Sequence, residues 1–136
     1  MNVYLAGIYS RLHLLKEHMK LYIAGDNGKY QIMRDNPTEE KPYILESYFY
    51  LRDKNEATKK LFISTSFLLD SGAFTFLNGN TEKCNWDEYT KEYADFINTY
   101  NVDLFFELDI DPIVGLKEVE RLREKLEKLT NKKCIP

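Results

Sequence analysis

The sequence predicts an α/β domain built on a parallel sheet, and three observations carry that prediction. Short apolar runs that do not alternate with polar residues, such as Phe67-Leu68-Leu69 and Leu104-Phe105-Phe106, read as strands buried on both faces. Amphipathic segments with apolar residues three and four apart, over Asn85 to Asn101 and Val119 to Leu129, read as helices between and after them. Acids stand where the apolar runs stop, and in α/β folds the carboxyl edge of the sheet is where ligands bind. A chain of 136 residues, 43% hydrophobic and 14% aromatic, is enough for one folded domain with a real core.

In order along the chain, Asn2 to Ala6 is an apolar run stopped by Gly7, a buried strand that ends in a loop. Ser10 is placed to cap a helix whose stripe is Leu12, Leu15, Met19 and Ile23, with Gly25 as its stop. From Asp26 to Thr38 turn residues dominate, with a short strand at Tyr30 to Met33 between them. Pro42 to Leu51 is rich in aromatics and reads as a second strand or as a helical turn. Lys54 to Lys60 shows no apolar face and reads as a charged connector, after which Leu61-Phe62-Ile63 and Phe67-Leu68-Leu69 form the approach to Asp70. Asn85 caps the next helix with Glu88 three residues on, Tyr89, Tyr93, Phe96, Ile97 and Tyr100 form its stripe, and Asn101 ends it. Val102 to Asp109 is a further strand running out into Asp109, Asp111 and Pro112. Val119, Leu122, Leu126 and Leu129 line a last helix with a Glu124–Lys128 pair outside, and Lys133-Cys134-Ile135 opens another strand.

Charge and composition exclude several functions. Nineteen Lys and Arg against 22 Asp and Glu leave a net charge of −3, so no global field draws the chain to nucleic-acid phosphates. No run approaches the roughly 18 apolar residues of a membrane span, and no basic-then-apolar leader opens the chain. No membrane partner is expected, and a cytoplasmic location is the default. Cys84 and Cys134 stand alone, without Cys-x-x-Cys spacing, and read as reduced structural thiols. His13 and His18 lack a ligand partner at metal spacing, so no metal site is expected. Phosphate-binding glycine loops and a Gly-x-Ser-x-Gly elbow are also missing from the sequence.

Asp70 is the best single candidate for chemistry. It follows an apolar run and precedes Ser71-Gly72, where partial desolvation would raise its pKa. Gly72 and Ala73 let a flat ligand approach the backbone, and Phe74 is available to stack on it. The alternative is a turn in which Asp70 accepts backbone N–H bonds. Glu107, Asp109 and Asp111 would project to one side of an extended chain, to bind a cation or read donors on a base edge, or else cap the following helix. If Asp70 and Asp109 end successive parallel strands they face one crevice.

The run Leu68-Leu69-Asp70-Ser71-Gly72-Ala73-Phe74 resembles the Asp-Ser-Gly-Gly-Phe-Gln signature of the tRNA-guanine transglycosylases (queuine tRNA-ribosyltransferases). Asp103 to Asp109 resembles that family's later strand ending in its base-reading aspartate, and the order and intervening helix agree. The superfamily includes phage and bacterial enzymes that exchange deazaguanine bases into DNA. The resemblance covers residues 61 to 115, with Ala73 in place of the second glycine and Thr75 in place of the glutamine. It implies part of a (β/α)₈ barrel, the N-terminal half of a fold that takes about 250 residues, and base exchange at a ribosyl C1′. Asp70 would be the general acid/base, Ser71, Gly72 and Phe74 part of the base pocket, and Asp109 the acceptor for guanine-edge donors.

The family's nucleophilic aspartate and Cys/His zinc site would lie beyond residue 136, so no cofactor is expected in this chain. Expected partners are a purine or deazaguanine base, with tRNA or DNA as acceptor. A part-barrel leaves open sheet edges, so a second copy or a further chain segment would cover them. Two alternatives stand beside base exchange. One is a non-catalytic module that binds a nucleobase, a nucleotide or a protein. The other is a nucleoside 2-deoxyribosyltransferase-like enzyme, suggested by Val3 to Gly7 followed by Tyr9.

Overall fold

A computed structural model describes residues 2–6, 20–24, 43–77 and 84–136, with side chains described for all of these except 2–6, 20–24, 74 and 77. Four strands form one parallel sheet in chain order: β1 (Asn2–Ala6), β2 (Lys20–Ala24), β3 (Tyr43–Ser47) and β4 (Ser66–Asp70). Val3 pairs with Leu21, Ile23 with Ile44, Ile44 with Phe67, and Ser47 with Asp70. The sheet continues past β4 through two parallel bridges, Leu69 with Phe105 and Phe106 with Ile135. The Leu69 N–H donates to the Leu104 carbonyl at 2.9 Å and the Phe106 N–H to the Leu69 carbonyl at 3.0 Å. The Glu107 and Ile135 N–H groups donate to the Ile135 and Phe105 carbonyls, each at 2.8 Å. The predicted α/β class with a parallel sheet therefore stands.

The helices are α1 (Tyr48–Leu51), α2 (Glu56–Ile63), α3 (Phe74–Leu77), α4 (Trp86–Tyr100), α5 (Asp111–Val114) and α6 (Leu116–Thr130). α4 begins where expected, with the Asn85 carboxamide oxygen accepting the Glu88 N–H at 3.3 Å. It ends at Asn101, whose left-handed backbone (φ 50°) stops the helix. On α6, Val119, Leu122 and Leu126 are buried, but Leu129 is 42% exposed and Thr130 is buried in its place. The Thr130 hydroxyl satisfies itself on the Leu126 carbonyl at 2.9 Å. The outer face of α6 is held by Arg121, paired with Asp87 at 2.8 Å and Glu118 at 2.6 Å, rather than by the Glu124–Lys128 pair.

Three expectations are corrected. Lys20–Ala24 is a strand, not the end of a helix: Ile23 fits the helical spacing of Leu12, Leu15 and Met19, but the contiguous Leu21-Tyr22-Ile23 run pairs with β1 and β3 instead. Residues 56–63 form α2 rather than a connector and the start of a strand. Asn55 caps it by accepting the Thr58 N–H at 2.9 Å, and Thr58 and Phe62 supply the buried face. The strand expected over 102–109 is reduced to the bridges at Phe105 and Phe106. Of the segment expected as a strand or a helical turn, Tyr43–Ser47 is strand and Tyr48–Leu51 a helical turn, so both readings hold in part. The helix expected after Ser10 up to residue 19, the strand at 30–33, His13, His18, Gly7 and Tyr9 lie outside the described residues.

One core joins these parts. Ile44, Phe67, Leu69 and Phe105 from the sheet meet Tyr89, Tyr93 and Ile97 of α4 and Val119, Leu122 and Leu126 of α6. Aromatic rings mediate the contact, Tyr48 lying 5.5 Å from Tyr89 and 5.1 Å from Tyr93 between centroids. Cys84 and Cys134 are both free and half-buried. Among the described residues no helix is long and apolar enough to cross a membrane.

Candidate functional site

The carboxyl edge of the sheet gathers the candidate residues. β4 ends at Asp70, and the chain must turn sharply there, which it does through Gly72 at φ 75°. A side chain at position 72 would be strained by that backbone and would collide with Phe49 Cβ and Ser47 Oγ, each 2.5 Å from a Cβ built there. Gly72 therefore lets the turn lie directly on the end of β3. The Gly72 N–H donates to Asp70 Oδ2 at 3.2 Å, so Asp70 does serve the turn.

The turn does not neutralise Asp70 as a chemical group. Burial pushes its carboxyl above the usual carboxylate value, the Gly72 and Ser71 backbone bonds oppose that, and the charge of Asp109 pushes it further up. Asp109 lies near enough for that charge to be felt, and it is itself exposed. The two aspartates thus come to one edge, Asp70 half-buried and Asp109 open to solvent. Ser71 is 1% exposed; its Oγ accepts the Ala73 N–H at 3.3 Å and its carbonyl accepts the Tyr89 hydroxyl at 2.6 Å. Ser71 thus pins the turn to α4. Phe74 opens α3 directly after the turn, and its side chain lies outside the described residues.

The acidic set after Phe106 does not converge. Glu107 turns to α6, where Arg123 Nε and Nη2 hold its carboxylate, the latter at 3.1 Å. Asp111 is exposed at the first position of α5. Of the three, Asp109 is the one whose charge acts on Asp70, and no group of three or more His, Cys, Asp or Glu able to hold a metal exists among the described residues. The cysteines are not activated: burial raises both thiols, Cys134 to about 11.

Two contributors escaped the sequence reading. Tyr93 reads as core, yet its fully buried hydroxyl lies 3.3 Å from the Leu69 carbonyl and 3.1 Å from the Phe106 carbonyl. It ties together the two strand ends that carry Asp70 and Asp109. Ser47, register partner of Asp70, has a buried Oγ with no hydrogen-bond partner among the described residues. An apolar stripe shows where Tyr93 packs but carries no mark of what its hydroxyl reaches, and the position of Ser47 becomes visible only with the register. Comparison of the chain with family models, curated proteins and solved structures returned no match.

Proposed function

We propose that this chain is a transglycosylase-like protein that holds a guanine or deazaguanine base at the carboxyl edge of its sheet and takes part in base exchange on tRNA or DNA. The observation that carries this reading is the pair of aspartates at one edge of the sheet, desolvated Asp70 at the end of β4 and open Asp109 three residues past the bridge at Phe106. A carboxyl with a raised pKa keeps its proton closer to neutrality and is suited to protonate a departing purine nitrogen and to take a proton from the incoming base. The exposed Asp109 carboxyl suits the N–H donors of a guanine edge. Phe74, next after the small-residue turn, is the stacking surface of this reading. The parallel order of the sheet supports a (β/α)₈-type relationship, since such barrels add each strand beside the previous one.

The test is a base-exchange assay with labelled guanine against tRNA and DNA. Incorporation that falls by 10²-fold or more in Asp70→Asn, with the fold intact by circular dichroism, is the expected result. A second reading, a module that binds a purine without turning it over, is favoured by one observation. Among the described residues Asp109 is the one carboxylate whose charge acts on Asp70, which leaves none beside the pair to serve as the nucleophile at C1′. Purine binding without incorporation in the wild-type chain would select that module.

A further inference from the structure

The Ser47 hydroxyl is a buried polar group that the turn does not use. Ser47 occupies the N-cap position of α1, where a serine oxygen ordinarily accepts a backbone N–H, but it makes no capping bond. Its Oγ is buried and has no partner among the described residues. Leaving a buried hydroxyl unsatisfied costs free energy that alanine at the same place would avoid, so its presence calls for a use. Two features of the geometry supply one. Ser47 and Asp70 are Cα partners in the parallel β3–β4 ladder, so both side chains project from the same face of the sheet on strands about 4.8 Å apart. And the left-handed glycine at 72 leaves open the space beside Ser47 Oγ that any side chain would fill.

We propose that Ser47 is a positioning residue for Asp70: rotation about its χ1 turns the hydroxyl to donate to the Asp70 carboxylate when that acid is ionised. The bond forms in one protonation state and is dispensable in the other, which accounts for a hydroxyl left without a partner. It fixes the rotamer of Asp70 and favours its charged form, setting how readily Asp70 takes up and releases a proton. The opposing influences on that carboxyl are its buried surroundings, where the Tyr89 and Tyr93 hydroxyls of α4 stay neutral, and the charge of Asp109 from the segment after the Phe106 bridge. The functional meaning of this role rests on the acid/base reading of Asp70, but the hydrogen bond itself does not.

The experiment is a carbon-13 NMR pH titration of the Asp70 carboxyl, assigned by its loss in Asp70→Asn, in the wild-type chain, Ser47→Ala and Ser47→Cys. Removal of the donor is expected to move the Asp70 midpoint upward by about one pH unit in Ser47→Ala and by less in Ser47→Cys, whose thiol is a weak donor. At a pH below the Asp70 midpoint, where the hydroxyl has no bond to lose, the thermal midpoint of Ser47→Ala should be unchanged or higher, and above it the variant should lose stability relative to wild type. An Asp70 midpoint that stays in place in both variants overturns the proposal. Should Ser47→Ala fail to fold, the nearly isosteric Ser47→Cys decides alone. If the wild-type chain shows no base exchange, the titration still reports on the Ser47–Asp70 bond; if it does exchange bases, the acid limb of the pH–rate profile should move with the titration.

Discussion

At the scale of single residues the site turns on Asp70, and its stability cost has a definite sign. Burial raises the folded-state pKa of this acid above its ordinary value of 3.8, so folding favours the protonated form. Such a group is least costly to the fold below 3.8, and that advantage is lost as the pH rises through the folded-state pKa. Asp70→Asn removes the charge while keeping an oxygen for the Gly72 N–H. It should therefore raise the thermal midpoint at pH 7, and the gain over wild type should vanish below pH 3.8. Melting curves at both pH values check this, and an equal gain at each would show that ionisation of Asp70 costs the fold nothing. Phe74 is tested by binding. Stacking of a base contributes about 1–3 kcal/mol, so calorimetry with guanine should show Phe74→Ala weakened roughly 5- to 150-fold. Unchanged affinity would remove Phe74 from the pocket.

At the scale of elements the decisive contact is the one between α4 and the two strand ends. Tyr93 is fully buried on α4, and its hydroxyl reaches carbonyls from both β4 and the Phe105–Phe106 segment. Tyr93→Phe keeps the ring packing on Tyr48 and Phe105 and leaves those carbonyls with one partner fewer, which should destabilise the chain by about 1–3 kcal/mol in urea unfolding. The edge amide of Phe106 should exchange its hydrogen faster as well, whereas uniform protection would mean that the hydroxyl holds nothing in place. The elements that the sequence showed plainly are those whose signals are local. α4 has an Asn cap, a regular stripe and an Asn stop, and each functions as read. α6 likewise shows its buried stripe, missing only the exchange of Leu129 for Thr130. Where the sequence misled, tertiary pairing decided between two patterns that one run satisfies. Ile23 fits both the helix stripe of Leu12, Leu15 and Met19 and the apolar run Leu21-Tyr22-Ile23, and β1 and β3 on either side make that run a strand. α2 was hidden because its cap is an Asn among charges and its buried face is only Thr58 and Phe62. The candidate site divides the same way: that β4 ends at Asp70 and turns at Gly72 was legible from the apolar run before them, while Ser47 and the reach of the Tyr93 hydroxyl depend on the tertiary fold.

At the scale of the whole molecule, the order of the sheet has consequences for association. Each strand lies beside the one before it in the chain, and the bridges at Phe105 and Ile135 extend that order past β4. A parallel sheet of this kind needs cover on both faces and protection of its edges. Cover is uneven along the run. Leu68 on β4 is fully buried, while Leu104, which precedes the helix-facing Phe105 and so projects from the opposite face, is 42% exposed. The face away from α4 and α6 is thus closed at Leu68 and partly open at Leu104. In the barrel reading, eight strands close the sheet on itself. A 136-residue chain held at rising concentration should complete that surface with a second copy. Sedimentation velocity is expected to show the sedimentation coefficient climbing from the monomer value toward that of a dimer. Leu104→Lys, which places a charge on the open face, should shift this equilibrium back to monomer with little change in the thermal midpoint. A single monomeric species across the whole concentration range would mean that the open side needs no partner, and the part-barrel view of this sheet would fall with it.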